Sequence, residues 1–389
     1  MDLNVTSQFA LPEDGGLLVG RVWRPDLGGP SVVAIRDGSV FDITRAAPTM
    51  SELCNSNEVM KLARDAEGER LMPVDELLAQ TPRYARKPMK PWLIAPTDLQ
   101  AIKAAGVTFA VSMLERVIEE RARGAPDQAA SLRTEITGMI GDDLSRLKPG
   151  SPQAMALKDL LIRKGMWSQY LEVGIGPDAE VFTKAPSMAA VGHLAEVGIH
   201  PMSTWNNPEP EIVVVVNALG AIVGAALGND VNLRDVEGRS ALLLGKAKDN
   251  NASASIGPFI RLFDDTFTLD DVRRATVSLV VEGEDGFRLD GKSDMGKISR
   301  DPADLVASTI GSHHHYPDGF VLYLGTMFAP IQDRDGKGQG FTHKVGDVVT
   351  IASPKLGRLS NRVVHCGDAE PWTFGTGALM KNLAGRRLI

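Results

Sequence analysis

The 389-residue chain reads as an α+β protein whose larger part is a mixed or antiparallel β-roll, and three observations lead there. From Tyr170 onward, short apolar or β-branched runs alternate with turn residues: Phe182 to Pro186, Ile212 to Val216, Ala221 to Leu227, Thr276 to Glu282, Gly319 to Gly325, Val345 to Ala352 and Gly357 to Val364. No regular strand–helix alternation accompanies them, which disfavours a doubly wound parallel sheet. Aromatics make up only 5% of the chain while Gly (39) and Pro (23) are plentiful, the balance of many short strands joined by turns.

In chain order, residues 1–90 read as a small N-terminal β-rich domain and 91–389 as the larger one. Leu17 to Trp23, Ser31 to Ile35 and Val40 to Ile43 are strand-like, a helix starts near the capping residues Thr49 and Ser51, and another covers Val74 to Leu78. The Pro-rich basic stretch 81–92 is the expected linker. Trp92 to Ala95 follows as a short strand, and Pro96 to Ala105 as a turn or short helix, since it opens with Pro and Asp. Met113, Leu114, Val117 and Ile118 have helical spacing, with Glu115, Arg116, Glu119 and Glu120 on the other side. Leu132 to Leu147 and Gln153 to Arg163 read as two further helices split by Pro149 and Gly150, with no recognisable chemistry. Asp270 to Arg274 and Asp301 to Ile310 complete the helical set.

A formal charge of −7 with scattered Lys and Arg gives no basic stripe for nucleic acid or an anionic membrane, so small molecules are the expected partners. Cys54 and Cys366 have no metal-ligand spacing and read as free thiols. Without an N-terminal basic-then-apolar pattern or a long apolar run, the expected compartment is the cytoplasm. His313, His314 and His315 cannot all face one ion and read as a polar loop. DRDGKGQG (333–340) lacks the ligand spacing and closing Glu of a calcium loop.

Chemistry concentrates in WNNPEPEIVVVVNALGAIVGAALGND (205–230), read as a β-hairpin turning at Asn217 to Gly220. Residues two apart on a strand share a face, so Glu209 and Glu211 project together. Folding back about Leu219 sets residue 229 opposite 209 and brings Asp230 beside Glu209. Three adjacent carboxylates repel unless protonated or neutralised, and a hard divalent ion, Mg²⁺, Mn²⁺ or Ca²⁺, meets that need.

Ordered motifs then carry a resemblance. FTKAPS (182–187), PEPE (208–211), GNDVNLRD (228–235), LGKAKD (244–249), IGPF (256–259), LGT (324–326) and VGDVVTI (345–351) together resemble the fumarylacetoacetate hydrolase family, from about Leu93 to Val364. The resemblance implies that family's β-roll and a divalent metal held by Glu209, Glu211 and Asp230. It places Lys246 near the substrate carbonyl or leaving group, Arg234 on the substrate side, and Thr326 facing the substrate carboxylate. Members that hydrolyse carbon–carbon bonds carry a lid histidine; residues 106–120 contain none, and Ser112 stands about there. The pattern VTF..S...R..EE is instead similar to the family's 2-keto-3-deoxy sugar-acid dehydratases. It makes Ser112 and Arg116 substrate-binding residues and either Glu115 or Glu119 the proton-transferring group. The implied activity is Mg²⁺-dependent dehydration of a 2-keto-3-deoxypentonate to 2,5-dioxopentanoate in sugar catabolism, by a homodimer or homotetramer. Alternatives are a C–C hydrolase of a 2,4-diketo-3-deoxy acid giving pyruvate, and a silent keto-acid binder.

Overall fold

The structure is a computed structural model that describes residues 3–109, 113, 147–163, 165, 167–328, 332–336 and 340–389. Its strands are β1 (Leu18–Arg24), β2 (Gly29–Arg36), β3 (Ser39–Asp42), β4 (Glu69–Pro73), β5 (Trp92–Ile94), β6 (Ala101–Gly106), β7 (Glu180–Ala185), β8 (Glu196–Ile199) and β9 (Asn206–Asn207). They continue as β10 (Pro210–Val216), β11 (Ile222–Asp230), β12 (Asn232–Leu233), β13 (Ala254–Leu262), β14 (Thr276–Glu282), β15 (Arg288–Asp294), β16 (Phe320–Tyr323), β17 (Val348–Ser353) and β18 (Gly357–His365). An eleven-stranded sheet runs β4-β3-β2-β1-β13-β11-β10-β16-β6-β7 with β5 on β1, and a five-stranded sheet runs β15-β14-β17-β18-β8. Pairing is antiparallel except for β16 with β6 and β18 with β8, so the roll is mixed.

β10 lies at the centre and is buried along its whole length, which explains an unbroken β-branched run where a half-exposed strand would alternate. On one face Ile212 and Val214 join a core with Leu279, Ile351 and Leu359 of the smaller sheet. On the other, Val213 and Val215 pack with Tyr323, Ile102 and Ile256. The hairpin turn is held by Asn217, whose Oδ1 accepts from Leu219 N (3.0 Å) and Ala221 N (2.9 Å), with Gly220 at φ +83°.

Near the turn the register is the expected one, Val216 opposite Ile222. One step further Val215 faces Gly224, leaving Val223 as the extra residue of a β-bulge. Beyond it the pairing has moved by one: Pro210 faces Asn229, and Asp230, not Asn229, lies across from Glu209. This corrects the sequence register and matters, because a one-residue slip sends every side chain to the opposite face.

The strands of residues 1–90 continue the large sheet through the pairing of β1 with β13, so the chain division at residue 90 marks no break in hydrogen bonding. Thr49 caps the helix Met50–Asn55, accepting from Glu52 N at 3.0 Å, and Val74–Gln80 is helical as expected. Residues 96–105 are corrected: β6 occupies 101–106, and Asp98 caps across space, accepting from Met50 N (2.6 Å) and Ser51 N (3.0 Å). The polar signal was that of a cap, for a helix elsewhere. β13 escaped the sequence reading because Gly257 and Pro258 look like a breaker, yet they sit at an irregularity of the ladder, where proline's missing N–H is tolerated. The second of the two paired helices covers Pro152–Arg163, while the first lies outside the described residues apart from Leu147. Among the described residues no helix is long and apolar enough to cross a membrane, and Cys54 and Cys366 are free.

Gly228 faces Glu211 in the ladder, and a Cβ there would stand 2.4 Å from Tyr323 Cε1 and 2.5 Å from Val213 Cγ2. Gly228→Ala is expected to cost about 1–3 kcal/mol of stability. Gly245→Ala, in an exposed helical position with open space, should raise it by about 0.5–1 kcal/mol. Thermal unfolding of the two variants tests the opposite signs.

Candidate functional site

Parity and register bring three acids to one spot on the Val213 face of the large sheet. Glu209 and Glu211 flank Pro210 at the start of β10, and Asp230 closes β11. One carboxylate oxygen from each lies within 4.8 Å of the others, and all three residues are buried. Two buried lysines answer them. Lys248, at the end of the helix Leu244–Lys248, places Nζ 2.5 Å from Glu209 Oε2 and 3.0 Å from Asp230 Oδ2. Lys184 of β7 places Nζ 2.8 Å from Asp230 Oδ1, a charge contact outside hydrogen-bonding angles, so that this oxygen receives no hydrogen bond.

Neutral donors complete the frame. Asn232 Nδ2 donates to Glu209 Oε1 (3.2 Å) and Glu237 Oε2 (2.6 Å), and Gly325 N donates to Glu211 Oε2 (2.7 Å). The cleft above the acids has a volume of about 40 Å³ and is walled by Ala105, Val107, Phe182, Glu180, Glu237 and Thr326. Glu180, Phe182 and Lys184 stand two apart and share one face of β7.

Burial pushes Glu209 up to about 7, with Lys248 opposing, and raises Glu211 well above the carboxylate range with help from Asp230 and Glu209. Burial would also raise Asp230, but Lys184 and then Lys248 outweigh it and hold Asp230 low. Lys184 itself is pushed down by burial, which Asp230 opposes. With all three ionised, the trio exceeds the two ammonium groups by one negative charge, and Glu237 on the cleft wall adds to the negative field. The donor set is hard oxygen throughout, one of them without a hydrogen bond, and these residues fit a hard dication.

The family model for the fumarylacetoacetate hydrolase C-terminal region matches residues 169–364, half of the chain and every residue of the acidic cluster. The chain belongs to the fumarylacetoacetate hydrolase family. Among this family's curated members, it is 26% identical over 340 residues to the Haloferax volcanii protein named "Probable 2-keto-3-deoxyxylonate dehydratase", a match spanning 86% of this chain and 96% of the relative. It is 30% identical over 183 residues to the 2-dehydro-3-deoxy-D-arabinonate dehydratase of Saccharolobus solfataricus, covering 46% of this chain and 57% of that protein. In fold, a 2-keto-3-deoxy-D-arabinonate dehydratase complexed with magnesium and 2,5-dioxopentanoate superposes with a TM-score of 0.62 at 20% identity, over 90% of this chain and 99% of its own. A fumarylacetoacetate hydrolase from psychrophilic Exiguobacterium antarcticum gives 0.54 at 15% identity, over 90% and 99%.

Within this family frame the sequence-derived residues fare differently. Glu209, Glu211 and Asp230 meet, and Thr326 lines the cleft. Lys246 does not reach it: its side chain is exposed, and Lys248 is the lysine on the acids. Two residues differ by about 200° around a helix, so only one of the pair can face inward. Ala247 packs with Leu233 and Val236, turning Lys248 with it. The i, i+4 pair Leu243 and Ala247 was the signal available in the sequence. Arg234 lies over the Trp205 ring at 4.6 Å and is not among the cleft-lining residues. Ser112, Glu115, Arg116 and Glu119 lie outside the described residues. Lys184, Asn232, Glu180 and Glu237 went unnamed in the sequence reading, since a lone Lys, Asn or Glu carries no spacing signal. His313, His314 and His315 are exposed, as a polar loop should be, whereas His193 and His343 are buried.

A carboxyl raised in the folded state costs stability as pH climbs from its ordinary 4.5 to about 7, since the unfolded chain ionises first. Metal-free protein should therefore lose melting temperature across that window, with Mg²⁺ restoring more at pH 8 than at pH 5.5. Apparent Mg²⁺ affinity should fall by at least about tenfold per pH unit below the midpoint, at least one proton being displaced per ion. Calorimetric titration at several pH values checks the slope, and equal affinity at pH 5.5 and 8 would contradict it.

Proposed function

We propose that this protein is a Mg²⁺-dependent dehydratase of a 2-keto-3-deoxy sugar acid, converting a 2-keto-3-deoxypentonate to 2,5-dioxopentanoate. The observation that carries the reading is the buried trio Glu209, Glu211 and Asp230 with Lys248 upon it, in a chain whose Haloferax relative of matching length is named for that reaction type. Glu209, Glu211 and Asp230 would hold the divalent ion. When bound, the ion supplies the positive charge that polarises a 2-oxo acid and acidifies its C3 hydrogens.

The remaining steps belong to the chain's own groups. Lys248 holds an ammonium in the cleft and stabilises negative charge developing on the 2-oxo oxygen. Thr326 Oγ1 accepts from Phe328 N at 3.1 Å, which leaves its O–H to donate to a substrate carboxylate. A carboxylate takes a C3 proton, and a carboxylic acid delivers one to the departing C4 hydroxyl, so that water leaves. Glu180 on the cleft wall joins Glu115 and Glu119 as a candidate for that exchange. The absence of histidine from 106–120 favours dehydration over C–C hydrolysis, which needs an activated water. A cytoplasmic homodimer or homotetramer, acting on a small keto acid, completes the proposal.

Incubation with a 2-keto-3-deoxypentonate should yield 2,5-dioxopentanoate, and with a 2,4-diketo-3-deoxy acid no pyruvate; the reverse pattern would establish the hydrolase. Glu211→Gln and Lys248→Met should each lower kcat by about 10²–10³-fold. Lys246→Ala should stay within about twofold, because an exposed side chain contributes little.

A further inference from the structure

Lys184 is a lysine with no exposed surface, near the end of β7, and its ammonium meets four oxygens. Its hydrogen bonds go to Val231 O (3.0 Å), Lys248 O and Ser253 Oγ (3.3 Å). The Ser253 hydroxyl donates to Lys248 O at 2.7 Å, so its lone pair is what faces Lys184. Three acceptors for three N–H groups is the pattern of an ammonium; a neutral amine would have one hydrogen too few. Asp230 Oδ1, at 2.8 Å, receives the charge without a hydrogen bond. This lysine therefore ties β7, the end of β11 and the residue that carries the second ammonium into one unit, yet it does not line the cleft.

We propose that Lys184 is a positioning residue that sets the charge of the metal site, tuning it to retain an anionic 2-oxo acid rather than the metal alone. The proposal rests on the dication reading of Glu209, Glu211 and Asp230. With all three ligands ionised, as a bound cation requires, three carboxylates and two ammoniums sum to −1; a dication makes these groups +1 and a monoanionic keto acid cancels it, the cleft-wall acids Glu180 and Glu237 being common to both forms of the protein. Without Lys184 the same sequence runs −2, 0 and −1. Removing the charge should then hold or tighten the metal and loosen the anion, since a buried Coulomb imbalance of one unit is costly. A residue that merely braces the fold would weaken both together.

The test is calorimetric, on the full chain, with Mg²⁺ alone and then pyruvate in saturating Mg²⁺. Lys184→Gln keeps donors for the carbonyls and loses the charge. It should bind Mg²⁺ as tightly as wild type or up to about tenfold tighter, and pyruvate about tenfold more weakly, within the usual range of site-to-site coupling. In turnover the loss should fall on KM more than on kcat. Ser253→Ala removes an acceptor of Lys184 without touching charge, and should leave both affinities within about twofold. Parallel weakening of Mg²⁺ and pyruvate in Lys184→Gln, unchanged pyruvate binding, or loss of pyruvate binding in Ser253→Ala would each overturn the proposal. Wild-type protein that takes up no Mg²⁺ would overturn the metal reading itself, before Lys184 enters.

Discussion

Like charges held out of water are the constraint on which the cleft depends. Three carboxylates within 4.8 Å of one another would be driven apart or protonated in a dry interior. The chain opposes this with Lys248 from a short helix, Lys184 from β7, the Asn232 amide and the Gly325 backbone N–H. Each comes from a different element. The site therefore exists only where the large sheet, the helix Leu244–Lys248 and the segment after β16 are all in place, and its chemistry is tied to the integrity of the whole roll.

The second constraint is parity. Both faces of β10 are buried, so Glu211 must look toward the cleft while Ile212 and Val214 enter the core against the smaller sheet. The extra residue at Val223 is what lets Asp230 face the same way as Glu209. With the register of the turn carried through unbroken, Asn229 would stand opposite Glu209 and Asp230 would point into the apolar core. A bulge seven residues away along β11 thus decides whether a metal-binding set can form. Gly228 contributes by leaving room for the Tyr323 ring, whose hydroxyl reaches Ser255 O at 2.7 Å and fixes β16 against β13.

Much of the architecture was legible. β-branched runs between turn residues mark β7, β10, β11, β14, β16, β17 and β18, and the Thr49 cap announces its helix. Local signals failed where a distant partner redefined them: Asp98, far along the chain, caps residues 50 and 51, and Gly257–Pro258 sits inside a central strand. Propensity describes a residue's neighbours in the chain, and these positions are governed by neighbours in space.

The amino-acid order by itself determined that two glutamates and an aspartate would lie at the open end of one hairpin, and that the motifs around them belong to one family. Tertiary structure decided which lysine serves them. Lys246 and Lys248 are equivalent as letters, and only the packing of Ala247 against Leu233 and Val236 turns Lys248 inward. It decided also that Lys184, from a strand 46 residues before Asp230, supplies the second charge. Electrostatic partners are chosen by distance through space, and distance is the quantity a linear sequence does not contain.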